Sequence, residues 1–203
     1  NKEAQVEKAL LDRIRETLLQ AKSARTVLPQ NNDEEVLMET FQLITSKPVL
    51  YVCNVDEGAA VNGNKYVDQV RELVKDEKAE VIVLAVGTEA DITELETYEE
   101  RKMFLEDIGL KEPGASVLIR AAYKLLQQQT YFTAGVKEVR AWTINIGATA
   151  PQAAGVIHTD FEKGFIRAEV IAFDDYVSLG SESKVKEAGK LRVEGKEYIV
   201  KDG

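Results

Sequence analysis

Polar side chains that could read a ligand follow directly after an apolar segment of the chain. The segment Val49–Cys53 is continuous, apolar and rich in valine, which is typical of a buried parallel strand covered on both faces. Asn54, Asp56 and Glu57 come next, with Val55 among them. Ligands of open α/β sheets bind just beyond the carboxyl ends of such strands, where amides and carboxylates can meet a hydrogen-bonding edge. The same residue types are common in turns, so a plain turn is the alternative.

A second apolar run, Val81–Val86, ends at Gly87 and lies one helix further along the chain. The segment between the runs, from Tyr66 to about Lys78, carries apolar residues at helical spacing. Strand, helix and strand with short connections predict a right-handed βαβ unit with parallel strands. The segments that follow the two strands then lie side by side at one sheet edge, as the walls of a nucleotide-base pocket.

Composition limits the classes of function. The formal net charge of -9 disfavours non-specific adherence to nucleic acid or to anionic membranes. The lone cysteine, Cys53, excludes an internal disulfide and a cysteine-based zinc site, and its position predicts a small buried apolar residue. The lone histidine, His158, is far from it in sequence, so a packing or surface role is expected rather than a triad or metal site. We see no signal peptide and no long apolar span, which predicts a cytoplasmic protein without a membrane partner.

Basic residues in the last third of the chain are candidates for a local RNA contact, despite the acidic balance of the whole. They are Lys137, Arg140, Lys163 and Arg167, which one face of a small domain could gather. Aromatic residues lie nearby in sequence, and core packing is their expected role: Trp142, Phe161 and Phe165.

Amphipathic periodicity predicts most of the helices in the first part of the chain. The predicted ranges are Asn1 to about Ala24, Asp33–Ile44, Asp91–Asp107 and Val117–Gln129. The first two are adjacent and predict an antiparallel helical hairpin, for which a coiled-coil arm is possible.

The last seventy or so residues are typical of a small α+β domain. Strands are predicted at Val139–Ile146 and Phe165–Ala172, because both mix β-branched or aromatic residues with polar ones. Pro151 is expected to open a short helix that ends at Ile157. The segments Leu191–Val193 and Glu197–Val200 flank a glycine turn and predict a β-hairpin.

Long strings in this region resemble a known family. Gln129–Thr143 is similar to the entry of the C-terminal domain of the YchF proteins, which are Obg-like P-loop ATPases of the translation-factor class. His158–Val170 and Glu194–Gly203 are similar to the next signature and to the closing hairpin of the same family. The resemblance extends over the chain from about Thr45, and before that residue only the helical character agrees.

The resemblance implies an architecture of α/β plus α+β class. Residues 1–46 would form a helical, coiled-coil arm, and residues 47–128 the C-terminal part of a Rossmann-like P-loop G domain. Residues 129–203 would form a TGS domain with the β-grasp, ubiquitin-like fold. The stretch would then be a C-terminal fragment, with the phosphate loop N-terminal to it and a final TGS strand beyond Gly203.

The resemblance also implies which residues contact the base. P-loop GTPases hold guanine with Asn-Lys-x-Asp, whereas the YchF motif is Asn-x-x-Glu and falls on Asn54, Val55 and Glu57. The second base-side loop, where G proteins usually carry Ser-Ala-Lys, falls on Ala85, Val86 and the glycine after them. That departure leaves backbone contacts as the expected role of the second loop.

The function implied by the resemblance is binding and hydrolysis of ATP, and possibly GTP, with Mg²⁺, by a ribosome-associated regulator of translation. No Gly-x-x-x-x-Gly-Lys-Ser/Thr occurs in the 203 residues, so this stretch alone is expected to hold no cofactor and to be inactive as a hydrolase. No catalytic or metal-binding residue is predicted within it. The alternative is a non-catalytic module that recognises RNA or protein through the arm and the TGS domain.

Overall fold

The computed structural model describes residues 2–77, 79–135 and 137–203, without the side chain of Lys2. Predictions that extend over Asn1, Lys78 and Val136 therefore lie partly outside the described residues. The chain forms two compact units, Asn1–Leu125 and Leu126–Gly203, which are described separately below. The predicted domain divisions at 46/47 and 128/129 stay predictions.

The first unit begins with two helices, α1 (Lys2–Leu19) and α2 (Asn32–Thr40), joined through a 3-10 turn, Ala24–Thr26. The helix predicted to about Ala24 ends earlier, because Ala21 adopts φ +56°, outside the helical region. A core lies between the helices and the turn, and its buried members are Leu10, Ile14, Ala24 and Val27.

A buried carboxylate fastens the start of α2. Glu34 is only 5% exposed, accepts a 2.8 Å hydrogen bond from the Gln30 backbone N–H, and pairs with the Arg13 guanidinium of α1. The bond from Gln30, reinforced by Arg13, lowers the pKa of Glu34 below its ordinary value. Asn31 caps the same helix, because its Oδ1 accepts from the Glu34 N–H at 3.0 Å.

The arm is joined to the sheet of the same unit by a second arginine. Arg25 Nε donates to Glu77 Oε2 at 2.8 Å, and its Nη1 donates to the Thr45 carbonyl at 3.2 Å. Tyr51 of the first strand also donates to Glu77 Oε2, at 3.5 Å. Polar contacts therefore hold the turn between the first two helices beside the sheet.

The sheet of the first unit contains β1 (Val49–Asn54) and β2 (Ala79–Leu84), with α3 (Lys65–Leu73) between them in sequence. The strands pair in parallel with Asn54 opposite Leu84, which confirms the predicted βαβ connection. Asn64 caps α3 through its Oδ1, which accepts from Tyr66 N at 3.0 Å.

The prediction that β1 is covered on both faces is wrong. Successive strand side chains alternate between faces, and Val52 is 45% exposed while Cys53 is half-buried. The helices described in this unit thus leave one face of β1 accessible at Val52.

The rest of the first unit is helical: α4 (Val86–Glu94), α5 (Tyr98–Asp107) and α6 (Gly114–Leu125). The single helix predicted over Asp91–Asp107 is wrong, because Thr97 opens a new helix with a capping box completed by Glu100. The helix predicted over Val117–Gln129 starts earlier and ends earlier, since the chain turns at Gln127, which has φ +53°.

The second unit opens with an antiparallel hairpin of β3 (Gln128–Ala134) and β4 (Val139–Asn145). The helix α7 (Ala150–Ile157) packs on one face, with Ile144, Ala150 and Ala153 buried between them. Tyr131 donates from its hydroxyl to the Ala153 carbonyl at 2.9 Å, and burial raises the pKa of that hydroxyl. The predicted helix from Pro151 to Ile157 is confirmed.

The remaining elements of this unit are short. They are α8 (Thr159–Lys163), β5 (Ala168–Val170), α9 (Phe173–Leu179), α10 (Glu182–Glu187) and β6 (Arg192–Glu194). The strand predicted over Phe165–Ala172 is confined to its three middle residues.

The pairing predicted for the C-terminal hairpin is wrong. β6 pairs with β5 in antiparallel register, Glu169 opposite Val193, and Ile199 instead bridges to Thr149. The last residues run along β3, where the Gly203 N–H donates to the Thr130 carbonyl at 3.0 Å. Across the described residues, no helix is both long and apolar enough to cross a membrane.

Candidate nucleotide-base site and basic surface

A hydrogen bond ties together the two segments that follow the parallel strands. Asn54, the last residue of β1, accepts at its Oδ1 from the Val86 backbone N–H at 3.1 Å. The Val55 N–H donates to the Leu84 carbonyl at 2.9 Å, which continues the strand pairing by one residue. The adjacency that the βαβ pattern predicts for these segments is therefore present, and the Asn54 amide makes it direct.

The acidic residues of the turn lie at the surface. Asp56 precedes a 3-10 turn, Glu57–Ala59, in which the Ala59 N–H donates to the Asp56 carbonyl at 2.9 Å. Asp56 and Glu57 are exposed, and Val55 is half-buried. The carboxylate of Glu57 is thus accessible to a ligand placed at the edge of the sheet.

The second segment differs from the loop that the sequence predicts, because β2 ends at Leu84 and α4 begins at once at Val86. Ala85 is buried, with 5% exposed, whereas Val86 is 51% exposed. At the sheet edge, this segment presents the backbone groups of the first turn of α4 and the Val86 side chain.

A contact that sequence reasoning missed holds α4 in place. Glu89 Oε1 accepts from the Gly114 N–H at 2.7 Å, which links α4 to the first residue of α6. A Cβ at Gly114 would lie 2.5 Å from Leu84 Cδ2 and 2.8 Å from that carboxylate oxygen, so both side chains would have to shift to accept a larger residue. No local motif marks this contact, since its partners are 25 residues apart.

The described residues at this sheet edge provide neither a phosphate loop nor a metal-binding group. The 203-residue sequence contains no glycine-rich phosphate loop. Within the described residues, no group of His, Cys, Asp and Glu side chains is arranged to hold a metal. No step of phosphate chemistry follows from these residues.

The basic residues proposed for RNA contact are all exposed and belong to the second unit. Arg140 is on β4, Lys163 ends α8, and Arg167 directly precedes β5. One cavity is lined by both Ile144 and Glu162, and another by both Thr133 and Phe165. The segment that carries Lys163 therefore lies beside the β3–β4 hairpin.

In the structure, His158 caps a helix and Cys53 lies within a strand. His158 precedes α8, and its Nδ1 accepts from the Asp160 N–H at 3.2 Å, as a helix cap does. Its ring also lies 5.9 Å from the ring of Phe161. Cys53 is a free, half-buried thiol in β1.

Comparison with known proteins decides the family. A family model described as YchF-GTPase_C, protein of unknown function, matches residues 128–203. The "Ribosome-binding ATPase YchF" of Haemophilus ducreyi is 52% identical over 203 residues, which is 100% of this chain and 55% of that protein. The chain belongs to the YchF family. The "Ribosome-binding ATPase YchF" of Bacillus subtilis is 48% identical over 205 residues, or 100% of this chain and 56% of its own length.

A solved YchF structure supports the fold. The "Structure of the Schizosaccharomyces pombe YchF GTPase" matches with a TM-score of 0.82 and 32% identity, over 100% of this chain and 54% of that one. The mixed α/β architecture, with a parallel sheet and helices, is confirmed. The chain spans about 55% of the length of the YchF relatives it matches. The names of these proteins differ in the nucleotide. The bacterial relatives are called ATPases, whereas the Schizosaccharomyces pombe protein is called a GTPase.

Proposed function

We propose that this chain supplies the base-binding part of a YchF-type protein that binds and hydrolyses ATP. The observation that carries the proposal is the hydrogen bond from Val86 N–H to Asn54 Oδ1, which joins the ends of neighbouring parallel strands. Asn54, Val55 and Glu57 form one wall of the base site, and Ala85 and Val86 form the other. The names of the bacterial relatives support ATP hydrolysis by the whole protein.

Adenine and guanine differ in what a carboxylate at Glu57 would meet. Guanine presents N1–H and an exocyclic amine together, which a carboxylate accepts as a bidentate, charge-assisted pair. Adenine has an acceptor at N1, so a carboxylate held opposite N1 would repel it. Glu57 has one more methylene than the aspartate of guanine sites, and Val55 replaces the lysine whose stem covers the base. Both differences favour adenine.

The phosphates and Mg²⁺ would be held outside these residues. ATP with Mg²⁺ is the proposed cofactor pair of the whole protein, and the 203 residues fit only the base. Positioning and charge neutralisation of the transferred phosphoryl group provide most of the catalysis in this class of enzyme. We therefore expect the 203-residue chain alone to release no phosphate from ATP or GTP in the presence of Mg²⁺.

Asn54→Ala tests the base site in the whole protein that carries this chain. The substitution removes the acceptor for the Val86 N–H and separates the two walls, so the dissociation constant for ATP should rise by about tenfold. Asn64→Ala is the matched control, because Asn64 also accepts through Oδ1, but from the Tyr66 and Val67 N–H groups of α3 rather than from a wall of the site. Equal ATP affinity in wild type and Asn54→Ala, by titration calorimetry, would support the alternative of a non-catalytic binding module.

A second proposal is that the whole protein works in the cytoplasm, docked on the ribosome through the arm and the second unit. The names of the bacterial relatives support ribosome binding. The proposed contact is made by Arg140, Lys163 and Arg167 with RNA. We also propose that residues 129–203 adopt the β-grasp fold of a TGS domain. With a net charge of -9, contacts with RNA must be local rather than spread over the surface.

The triple substitution of Arg140, Lys163 and Arg167 by Ala tests the docking proposal. Co-sedimentation with ribosomes should weaken, and the dependence of affinity on salt should become less steep because fewer phosphates are contacted. Lys184, Lys186 and Lys196, exposed basic residues of the same unit, provide a control with the same loss of charge when changed to Ala. Unchanged co-sedimentation of the first variant would show that Arg140, Lys163 and Arg167 do not contribute to ribosome binding.

A further inference from the structure

Arg140 and Trp142 form a cation–π pair on the β3–β4 hairpin. They are two residues apart on β4, so their side chains project from the same face of the sheet. The Arg140 guanidinium carbon lies 4.1 Å from the centroid of the Trp142 ring. Trp142 is fixed in turn, because its Nε1–H donates to Thr133 Oγ1 at 2.9 Å. Thr133 lies opposite Arg140 in the strand register, so the three side chains form one compact group.

Arg140 differs from several other arginines of this chain, because none of the described carboxylates pairs with it. Arg13, Arg25 and Arg120 each have a carboxylate partner within 4.0 Å. For Arg140, no such partner occurs among the residues that the structure describes. In a chain of net charge -9, its guanidinium remains available to an external anion. The Arg140 side chain is also exposed, while Trp142 is half-buried beneath it.

We propose that the Arg140–Trp142 pair is a stacking platform for an unpaired base of RNA, with Lys163 and Arg167 contacting the neighbouring phosphates. The inference rests on the proposed ribosome docking and names the chemical group that this surface recognises. The exposed Arg140 guanidinium, with an indole ring beneath it, is accessible from its outer side, and unpaired bases stack on guanidinium planes and aromatic rings. Such stacking is tolerant of sequence, because every base has a π-face.

The position of the Arg140 guanidinium over the Trp142 ring favours RNA over an acidic protein segment. A carboxylate binds arginine through the edge of the guanidinium and gains nothing from an indole below it. A base gains from the open face, and its phosphates gain from the cations on the segment beside the hairpin. RNA therefore uses both the platform and the charge, while an acidic peptide uses the charge alone.

The single tryptophan gives the platform its own signal. Trp142 is the only tryptophan of the chain, so emission excited selectively at indole reports on this position alone. A short single-stranded oligouridylate should quench the emission of the 203-residue chain at low salt. Inorganic polyphosphate of the same charge should bind more weakly and leave the emission unchanged, because it has no base to stack.

Arg140→Lys separates stacking from charge, since lysine retains the cation but has no planar group. The affinity for oligouridylate, by fluorescence anisotropy of labelled RNA, should fall by about fivefold or more. Arg192→Lys is the matched control, because Arg192 belongs to the same unit and lies 5.8 Å from the ring of Tyr198. Circular dichroism checks the fold of each variant. Thr133→Val, which removes the acceptor of the indole N–H, gives a second test by the same readouts.

The outcomes distinguish the platform from the docking proposal. Quenching by RNA alone, reduced in Arg140→Lys and unaltered in Arg192→Lys, supports the platform. Binding of RNA with unchanged Trp142 emission and no effect of Arg140→Lys overturns the platform, while charge-based docking stands. Equal quenching by polyphosphate or by polyglutamate also overturns it, because the surface would then read charge only. Absence of RNA binding at low salt overturns both proposals.

Discussion

Glu34 makes the stability of the helical arm depend on pH. Its pKa is lowered in the folded state by the Gln30 N–H and by Arg13, so its stabilising contribution is fully present above the ordinary carboxyl value of 4.5. The contribution is lost as the pH falls through the lowered folded pKa. Glu34→Gln should therefore lower the melting temperature at neutral pH and have a smaller effect in acid.

Thermal unfolding of the 203-residue chain, followed by circular dichroism from about pH 7 to about pH 3, measures this difference. Glu35→Gln is the control, because Glu35 is the exposed neighbour on the same helix. A loss of melting temperature that is the same at all pH values, or equal in both variants, would contradict the role assigned to Glu34.

At the scale of elements, the junction of β2, α4 and α6 depends on a glycine. Gly114→Ala would place a Cβ 2.5 Å from Leu84 Cδ2, and overpacking of this kind destabilises by about 1–3 kcal/mol. Gly87→Ala is the matched control, since Gly87 lies in α4 with no atom within 4 Å of its added Cβ. Alanine should stabilise that helical position by about 0.5–1 kcal/mol. Urea unfolding of both variants checks the opposite signs, and equal midpoints would contradict the packing described here.

The elements that sequence predicted well are those set by local pattern. The apolar runs gave both strands of the βαβ unit, and Asn54 was placed at the sheet edge because strand ends follow from composition. Pro151 marked the start of α7 for a similarly local reason. Local signals were also present but overlooked: Thr97 and Glu100 form a capping box that divides the helix predicted over Asp91–Asp107.

The features of the structure that could not be predicted from the sequence depend on contacts between distant segments. The predicted strands overlap β5 and β6, but the pairing of these strands with each other was missed, because it joins segments that only the fold brings together. The Glu89 to Gly114 contact likewise joins segments whose proximity follows from the fold. In the candidate site, the acceptor role of Asn54 towards Val86 has the same origin, since the motif names the residue but not its partner.

For the whole molecule, we propose that the turn from Asn54 to Glu57 selects adenine over guanine. Glu57 is exposed and Val55 has a short side chain, so neither would make the contacts by which P-loop GTPases hold guanine. An unpaired hydrogen-bonding group costs about 1–3 kcal/mol, which corresponds to about ten- to a hundredfold discrimination. Restoring the guanine-type residues in the whole protein should therefore move the preference towards GTP.

The most direct measurement is the ratio of ATP to GTP affinity in the whole protein, before and after Val55→Lys combined with Glu57→Asp. Titration calorimetry with non-hydrolysable analogues gives both dissociation constants, and Lys65→Ala with Asp68→Ala, at two α3 residues that belong to neither wall, provides the control. We predict a wild-type preference for ATP that falls by about tenfold or more in the double variant. A wild-type preference for GTP, or an affinity ratio that the double variant leaves unchanged, would contradict the role of this turn in selecting adenine.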